Sequence, residues 1–158
     1  LMDLALDVAQ NQVKELMDNN IRVRFLGSKE GVRQDILDAI ENAETKSASN
    51  DKGTLAICFN YGGQLEITDA VQKANQAGED MAKIDPQTLT KYLYAPDIPP
   101  VDLMVRTSGE QRISNFMLWR VSYAELLFVD KHWPAFSEQD LNDAIAEFSR
   151  RNRRFGGN

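Results

Sequence analysis

The sequence has only one cysteine, Cys58, and one histidine, His132, among its 158 residues. A single cysteine excludes an internal disulfide and a cysteine-rich metal site, and it favours a reducing compartment. Cys58 lies inside an apolar run, which indicates a core residue rather than a nucleophile. His132 adjoins Trp133, and no motif supplies it with a catalytic partner, so we expect a loop residue that packs.

Long hydrophobic runs and a positive charge balance are also missing. No apolar segment approaches the roughly 20 residues that a membrane-spanning helix requires, and the first ten residues lack the basic start of a signal peptide. The net charge of −6 argues against a general partner among nucleic acids or anionic membranes. The composition, 42% hydrophobic and 27% charged, is that of a globular domain with a real core.

The chain begins inside a helical pattern. Apolar residues recur at helical spacing from Leu1 to Met17, no capping residue precedes them, and Leu1 is not an initiator methionine. We therefore expect residues 1–158 to be a single domain that is truncated at its N-terminus, with a start at Met2 as the alternative. The first half of this helix is apolar nearly all round, which favours a central core helix over the wall of a lipid tunnel.

Strands and helices alternate along the rest of the chain, with Ser28, Asp85 and Ser137 as candidate N-caps. The predicted strands are 21–26, 54–60, 101–105 and 126–129, and the predicted helices are 1–20, 32–43, 65–77, one from 86 and one after 137. This order predicts an α/β fold with a mostly parallel central sheet flanked by helices. Four strands are few for such a sheet, which again suggests that N-terminal strands are missing.

The segment from Val101 to Glu125 is the strongest candidate for a binding site. A predicted strand ends at Arg106, a loop of residues 107–109 follows, and a helix-like apolar run comes after Asn115. A helix N-terminus presents free backbone N–H groups to anions. Arginine adds a planar guanidinium that matches phosphate oxygens in pairs.

Arg106, Arg112 and Ser114 are therefore predicted to bind a diphosphate. The alternative is that both arginines form ordinary surface ion pairs near Glu110. Glu125 could hold Mg²⁺ against a phosphate, but from spacing alone a partnership with an arginine is favoured.

A second turn, residues 60–63, follows the apolar strand 54–60. Ligands of parallel sheets bind beyond the carboxyl ends of strands, where Arg106 also lies, so we expect the two turns to line one pocket. The arginines between 150 and 154 are typical of a solvated helix end. A basic arm that reaches a phosphate on a partner subunit is the alternative.

The chain contains RTSGEQRISNFMLWRVSYAEL from Arg106, FNYGGQLEI from Phe59 and, after a Trp-Pro loop, RRNRRFGG from Arg150. These segments resemble signatures of the cis-prenyltransferases, which include undecaprenyl diphosphate synthase and dehydrodolichyl diphosphate synthase. The resemblance covers the whole chain and corresponds to the C-terminal two-thirds of the family's domain.

The resemblance implies an enzyme that condenses isopentenyl diphosphate with an allylic prenyl diphosphate in cis to give a long polyprenyl diphosphate. It implies Mg²⁺ as the cofactor, a homodimer, a cytoplasmic location and at most peripheral membrane contact through the lipid product. By the same resemblance, Arg106, Arg112 and Ser114 bind isopentenyl diphosphate. Glu125 is then the metal-associated glutamate, presented partly across the dimer interface.

The resemblance also raises the tunnel alternative for the first helix and extends it to the first strand. The tunnel wall would include Leu4, Leu6, Val8 and Val23. A C-terminal arm that completes the neighbouring subunit's site would include Arg154, Gly156 and Gly157.

The chain departs from the family pattern in several places. Gln64 stands where the family usually has arginine, and Gln111 stands where some members have histidine. The motif His-x-x-Asp-Gly-Asn-x-Arg-Trp, which binds the allylic diphosphate and metal, is absent from the sequence, as is Ser-x-Glu-Asn-Trp. We therefore expect an isopentenyl diphosphate half-site without a catalytic residue of its own, inactive alone. The alternatives are a non-catalytic partner subunit or a degenerate diphosphate-binding paralogue.

Overall fold

A computed structural model describes residues 13–151, without the side chain of Val13. The chain divides into two compact units, Leu1–Ile98 and Pro99–Asn158, each with its own pair of parallel strands. The predicted α/β fold with parallel strands and helices is thereby confirmed. That residues 1–158 form one domain stays a prediction. None of the helices in the described range has the length and apolar character needed to cross a bilayer.

The first unit alternates helices and strands in the predicted order. α1 is described over Val13–Asp18, and it is followed by β1 (Ile21–Leu26), α2 (Gln34–Ser47), β2 (Gly53–Cys58), α3 (Gly63–Gln76) and α4 (Pro86–Thr90). β1 and β2 pair in parallel, with Ile21 opposite Gly53. The alternating pattern of β1 and the short apolar run of β2 are what strands require.

The core of this unit is centred on Val23, which is 0% exposed and packs in one cluster with Ala43 of α2. The cluster is completed by four partly buried residues from α1, β1 and β2, namely Leu16, Met17, Phe25 and Ile57. Burying one valine side chain fully contributes roughly 1.5–3 kcal/mol. β1 is thus held on one face by two helices.

Side chains from α2 and the turn after it seal the outer edge of β1. Every second residue of β1 takes part: the Val23 N–H donates to Ser47 Oγ at 3.0 Å, the Phe25 N–H donates to Glu44 Oε1 at 2.8 Å, and the Ile21 carbonyl accepts from Asn50 Nδ2 at 2.9 Å. These three backbone groups on the side of β1 away from β2 are therefore satisfied without another strand.

The second unit contains β3 (Leu103–Arg106), β4 (Glu125–Phe128), a 3₁₀ turn (Trp133–Ala135) and α5 (Glu138–Arg150). β3 and β4 are parallel. α5 begins with the predicted N-cap: Ser137 Oγ accepts from the Asp140 N–H at 3.3 Å, and Asp140 Oδ2 accepts from the Ser137 N–H at 2.6 Å. The Asp85 cap of α4 is also confirmed, since its carboxylate accepts from the Thr88 N–H at 2.7 Å.

Three local predictions are wrong. β2 is not buried on both faces, because Thr54 and Leu55, which point to opposite faces of the strand, are both exposed, Leu55 by 41%. Cys58, at the end of β2, is half-buried rather than a core residue. Ser28 does not cap α2, whose N-cap is Arg33. Ser28 Oγ instead accepts from the Glu30 N–H at 3.2 Å within its own turn.

Candidate anion-binding site

The segment between β3 and β4 does not form the predicted helix. Residues 107–124 consist of loops and turns. Ser114, Asn115 and Met117 have positive φ angles of 45°, 63° and 46°. Three left-handed residues within four positions cannot continue a right-handed helix, because each places its Cβ against the backbone. The expected helix N-terminus, and the anion site built on it, are therefore absent from this segment.

Two backbone N–H groups of the loop after β3 are hydrogen-bonded within the chain. The N–H groups of Ser108 and Gly109 donate to the carbonyl oxygens of Lys131 and Val129, each at 2.9 Å. Ser108 Oγ lies 3.2 Å from His132 Nδ1, a contact that no sequence pattern indicated. These two N–H groups are therefore engaged within the chain rather than directed at an anion.

Arg106 gathers the predicted site residues around one guanidinium at the end of β3. Its Nη1 donates to Ser114 Oγ at 2.9 Å and to the carbonyl oxygen of Arg112. Its Nη2 donates to Glu110 Oε2 at 2.5 Å. The structure thus brings together Arg106, Arg112 and Ser114, as the sequence predicts, and adds Glu110 as a fourth member.

Glu110 bridges the two arginines through a single oxygen. Oε2 forms ion pairs with Arg106 Nη2 and with Arg112 Nη2. The Arg112 guanidinium, followed by that of Arg106, holds the pKa of the Glu110 carboxyl below its usual value. The ion-pair alternative for these arginines is therefore what the structure contains. Two guanidinium groups that meet at one anionic oxygen are also the arrangement that binds a phosphate oxygen.

Glu125 lies apart from this cluster. It faces Leu103 in the β3–β4 ladder, three residues before Arg106, which is about 10 Å along the strands. Its Oε2 accepts from Arg151 Nη1 at 3.0 Å, and the same nitrogen donates to the Leu126 carbonyl at 3.0 Å. The arginine partnership favoured from spacing is observed, although the partner is at the end of α5 rather than in the loop.

The described residues around Glu125 offer few side-chain ligands for a metal ion. Among residues 13–151 there is no group of three or more His, Cys, Asp or Glu side chains that could hold one. The carboxylate of Glu125 is already engaged by a guanidinium. Among the described residues, a Mg²⁺ ion would therefore have to take most of its ligands from a substrate or from water.

The turn after β2 clamps the turn after β1. Asn60, at φ 49°, donates from Nδ2 to the carbonyl oxygens of Ser28 and Glu30 at 2.9 and 3.1 Å. Gly27 approaches so closely that a Cβ there would lie 1.8 Å from the carbonyl oxygen of Phe59. The sequence signal for this contact is the small and amide residues that follow both strands. From the sequence alone they are interpreted only as turn residues.

A buried carboxylate is hydrogen-bonded to a residue of this turn. Glu66 is 0% exposed and accepts from the Tyr61 hydroxyl at 2.5 Å and from the Tyr94 N–H at 3.1 Å. The Tyr94 hydroxyl donates to Asp69, and burial, followed by that carboxylate, raises the pKa of Tyr94. Tyr94 also lines a cleft of about 500 Å³ together with Lys73, whose Nζ lies 4.9 Å from its ring centroid. Sequence reasoning missed Glu66 and Tyr94.

The other predicted site residues are placed only in part. Val23, predicted for the tunnel wall, lies in the core cluster of the first unit. Leu4, Leu6, Val8, Arg154, Gly156 and Gly157 lie outside the described residues. The pocket shared by the two turns would join the two units, and it stays a prediction.

Comparison with known proteins identifies relatives of the chain. Residues 1–156 match the family model for undecaprenyl diphosphate synthase. The chain is 47% identical over 152 residues to isoprenyl transferase 2 of Bradyrhizobium diazoefficiens, covering 94% of the chain and 60% of that protein. It is 47% identical over 156 residues to the isoprenyl transferase of Neisseria meningitidis serogroup A, covering 99% and 62%. The chain therefore spans about three-fifths of the length of these curated relatives.

A solved structure has the same fold. The crystal structure of lavandulyl diphosphate synthase from Lavandula x intermedia, in complex with dimethylallyl diphosphate, matches with a TM-score of 0.90 at 33% sequence identity. The match covers 99% of this chain and 70% of the other.

Proposed function

Because the chain belongs to the undecaprenyl diphosphate synthase family, we propose that the protein is a prenyltransferase that condenses isopentenyl diphosphate with an allylic prenyl diphosphate in cis. The product would be a long polyprenyl diphosphate. The names of the relatives, isoprenyl transferases, support transfer of a prenyl group. The reaction is proposed for the whole protein, since the chain spans 60% and 62% of those two relatives.

The observation that carries the proposal is the meeting of Arg106 and Arg112 at one anionic oxygen, with the Ser114 hydroxyl on the Arg106 guanidinium. We assign this half-site to isopentenyl diphosphate. In the condensation that substrate keeps its diphosphate, so the site must hold charge without donating a proton. Arginine does this because it stays protonated at any physiological pH. The contribution of such a site is positioning and charge neutralisation.

We further propose that the diphosphate carries Mg²⁺ and that Glu125 serves it from a neighbouring subunit of a homodimer. Within its own chain Glu125 lies at the opposite end of the strand pair from Arg106. One carboxylate is sufficient in such a role, because Mg²⁺ takes most of its ligands from phosphate oxygens and water. Exposed Leu141 and Ile145, one turn apart on α5 at 47% and 49%, support an apolar contact of this unit with another protein surface.

The same homodimer would use Arg154, Gly156 and Gly157 as the arm that completes the neighbour's site. Leu4, Leu6, Val8 and Val23 would belong to the product tunnel. The motif for the allylic diphosphate is absent from these 158 residues. We therefore propose that this chain binds isopentenyl diphosphate but does not turn it over.

Titration calorimetry with isopentenyl diphosphate, with and without Mg²⁺, tests the half-site. Arg112→Gln should weaken binding roughly 10- to 100-fold, the value of one charge-assisted hydrogen bond in a binding site. Arg112 is preferred to Arg106 because Arg106 also holds the loop together. Arg33→Gln is the matched control, since it removes an exposed arginine that is paired with a carboxylate, Asp35, outside the half-site, and it should leave affinity unchanged. Glu125→Gln should weaken only the Mg²⁺-dependent part.

Each outcome has a definite meaning. Unchanged affinity in Arg112→Gln would refute the half-site. Incorporation of labelled isopentenyl units by the 158-residue chain would refute its inactivity. Binding that does not depend on Mg²⁺ or Glu125 would argue against the metal role and leave the arginine half-site in place.

A further inference from the structure

Glu110 occupies the position in which the proposed substrate would bind. Its Oε2 is 2.5 Å from Arg106 Nη2 and is also paired with Arg112 Nη2. Arg106 keeps its other terminal nitrogen on Ser114 Oγ and on the Arg112 carbonyl. Glu110 therefore fills the space between the two guanidinium groups without being what positions Arg106.

The contact of Glu110 with the arginines is exposed enough to be exchanged. The side chains of Glu110 and Arg112 are 39% and 62% exposed, and that of Arg106 is 26% exposed. Surface ion pairs of this kind contribute only about 0.2–1 kcal/mol each. A diphosphate offers more negative charge and more acceptor oxygens than one carboxylate, so it can replace Glu110 between the same two guanidinium groups.

The loop allows that exchange without moving its backbone. Ser108 and Gly109, immediately before Glu110, are left-handed at φ 70° and 69°. Their N–H groups are bound to the carbonyl oxygens of Lys131 and Val129. Glu110 follows these fixed residues, so rotation of its own side chain is enough to clear the site.

We propose that Glu110 is an internal competing anion: it pairs with Arg106 and Arg112 when no substrate is present, and a diphosphate displaces it on binding. The inference rests on the proposed function of this site and adds a residue that sets its affinity for anions. Because every anion must displace Glu110, the affinity for each falls by a similar factor, and anions that bind the two arginines weakly leave the site unoccupied. Glu110 also offsets one of the two positive charges of the guanidinium groups while the site is empty.

The test measures binding of inorganic pyrophosphate, without metal, to the chain and to Glu110→Gln by calorimetry at several salt concentrations. Loss of the competing charge should tighten binding roughly three- to tenfold, the strength of one or two surface ion pairs. It should also steepen the dependence on salt, because binding then neutralises more net positive charge. Glu138→Gln, an exposed residue in the first turn of α5, controls for the change in net charge and should shift affinity by less than about twofold.

Equal or weaker binding of pyrophosphate by Glu110→Gln would overturn the inference. If Glu110 merely positioned the arginines, removing its charge would lower the affinity of the site for pyrophosphate. If in that case Arg112→Gln still abolishes pyrophosphate binding, the half-site stands and only the role of Glu110 fails. If neither the chain nor Glu110→Gln binds pyrophosphate, both proposals fail. Should Glu110→Gln not fold, Glu110→Asp replaces it: the shorter side chain reaches the arginines less well, so binding must again be tighter than in the unchanged chain.

Discussion

Replacing Ser47 by alanine should reveal how much the sealed edge of β1 contributes to stability. Ser47 is 0% exposed at the end of α2. Its hydroxyl accepts from the Val23 N–H at 3.0 Å and donates to the Ala43 carbonyl at 2.8 Å. Alanine keeps the helix and removes the acceptor, so the N–H of Val23, itself 0% exposed, loses this partner inside the core.

The size of the effect follows from that orphaned group. A buried donor left unsatisfied costs about 1–3 kcal/mol. The better helix propensity of alanine offsets about 0.5 kcal/mol of this. We therefore expect a net loss of about 1–2 kcal/mol of unfolding free energy. In a chain of this size each kcal/mol lowers Tm by roughly 2–4 °C.

Chemical and thermal denaturation of matched variants measures this loss. Ser149→Ala is the control, because Ser149 Oγ donates to the Ile145 carbonyl at 2.8 Å, the same contact four residues back, but sits exposed on α5. It should cost no more than about 0.5 kcal/mol. Hydrogen exchange at the Val23 amide should accelerate in Ser47→Ala alone. A cost no larger than that of Ser149→Ala, with unchanged exchange at Val23, would refute the reasoning.

Two further predictions concern a glycine and a carboxylate. Gly27→Ala should destabilise the chain by at least about 3 kcal/mol, because the added Cβ would lie 1.8 Å from the Phe59 carbonyl oxygen. Gly31→Ala should cost only about 1 kcal/mol, because Gly31 is left-handed at φ 71° but has nothing within 4 Å of an added Cβ. Equal denaturation midpoints for the two variants would contradict this prediction. The Lys131 ammonium, followed by the Ser137 hydroxyl, lowers the pKa of Asp140, so its stabilisation is present above its unfolded pKa of about 3.9 and is lost as pH falls through the folded value. In urea unfolding between pH 7 and pH 2, the stability gap between the chain and Asp140→Asn should therefore begin to narrow below about pH 4, while a gap that stays constant down to pH 2 would show that the carboxylate's charge is irrelevant.

Local chemistry made much of the fold predictable. β1 alternates branched and basic residues, and the caps at Asp85 and Ser137 need only a side chain three residues from its backbone donor. Such features are decided within one turn of chain, so the sequence pattern is enough to locate them. The burial of β2 was not predictable in this way, because it depends on which elements cover the strand.

The candidate site was predictable in its members but not in its geometry. Arg106 and Ser114 are only eight residues apart, and the segment between them determines that they meet. The pairing of Glu125 with Arg151 spans 26 residues, and no local pattern specifies it. The left-handed residues at 114, 115 and 117 were not predictable either, since serine, asparagine and methionine do not require that conformation.

The side-chain hydrogen bonds along the outer edge of β1 affect where a further strand can pair with β1 and β2. Parallel sheets can grow at either edge, but three backbone groups on the outer edge of β1 are already bound by Ser47, Glu44 and Asn50. An additional strand would pair more readily along β2, which within the described residues pairs only with β1. Edge-to-edge pairing of two copies of the chain through β1 is disfavoured for the same reason, which reduces one route to aggregation. The homodimer proposed above would consequently use another surface.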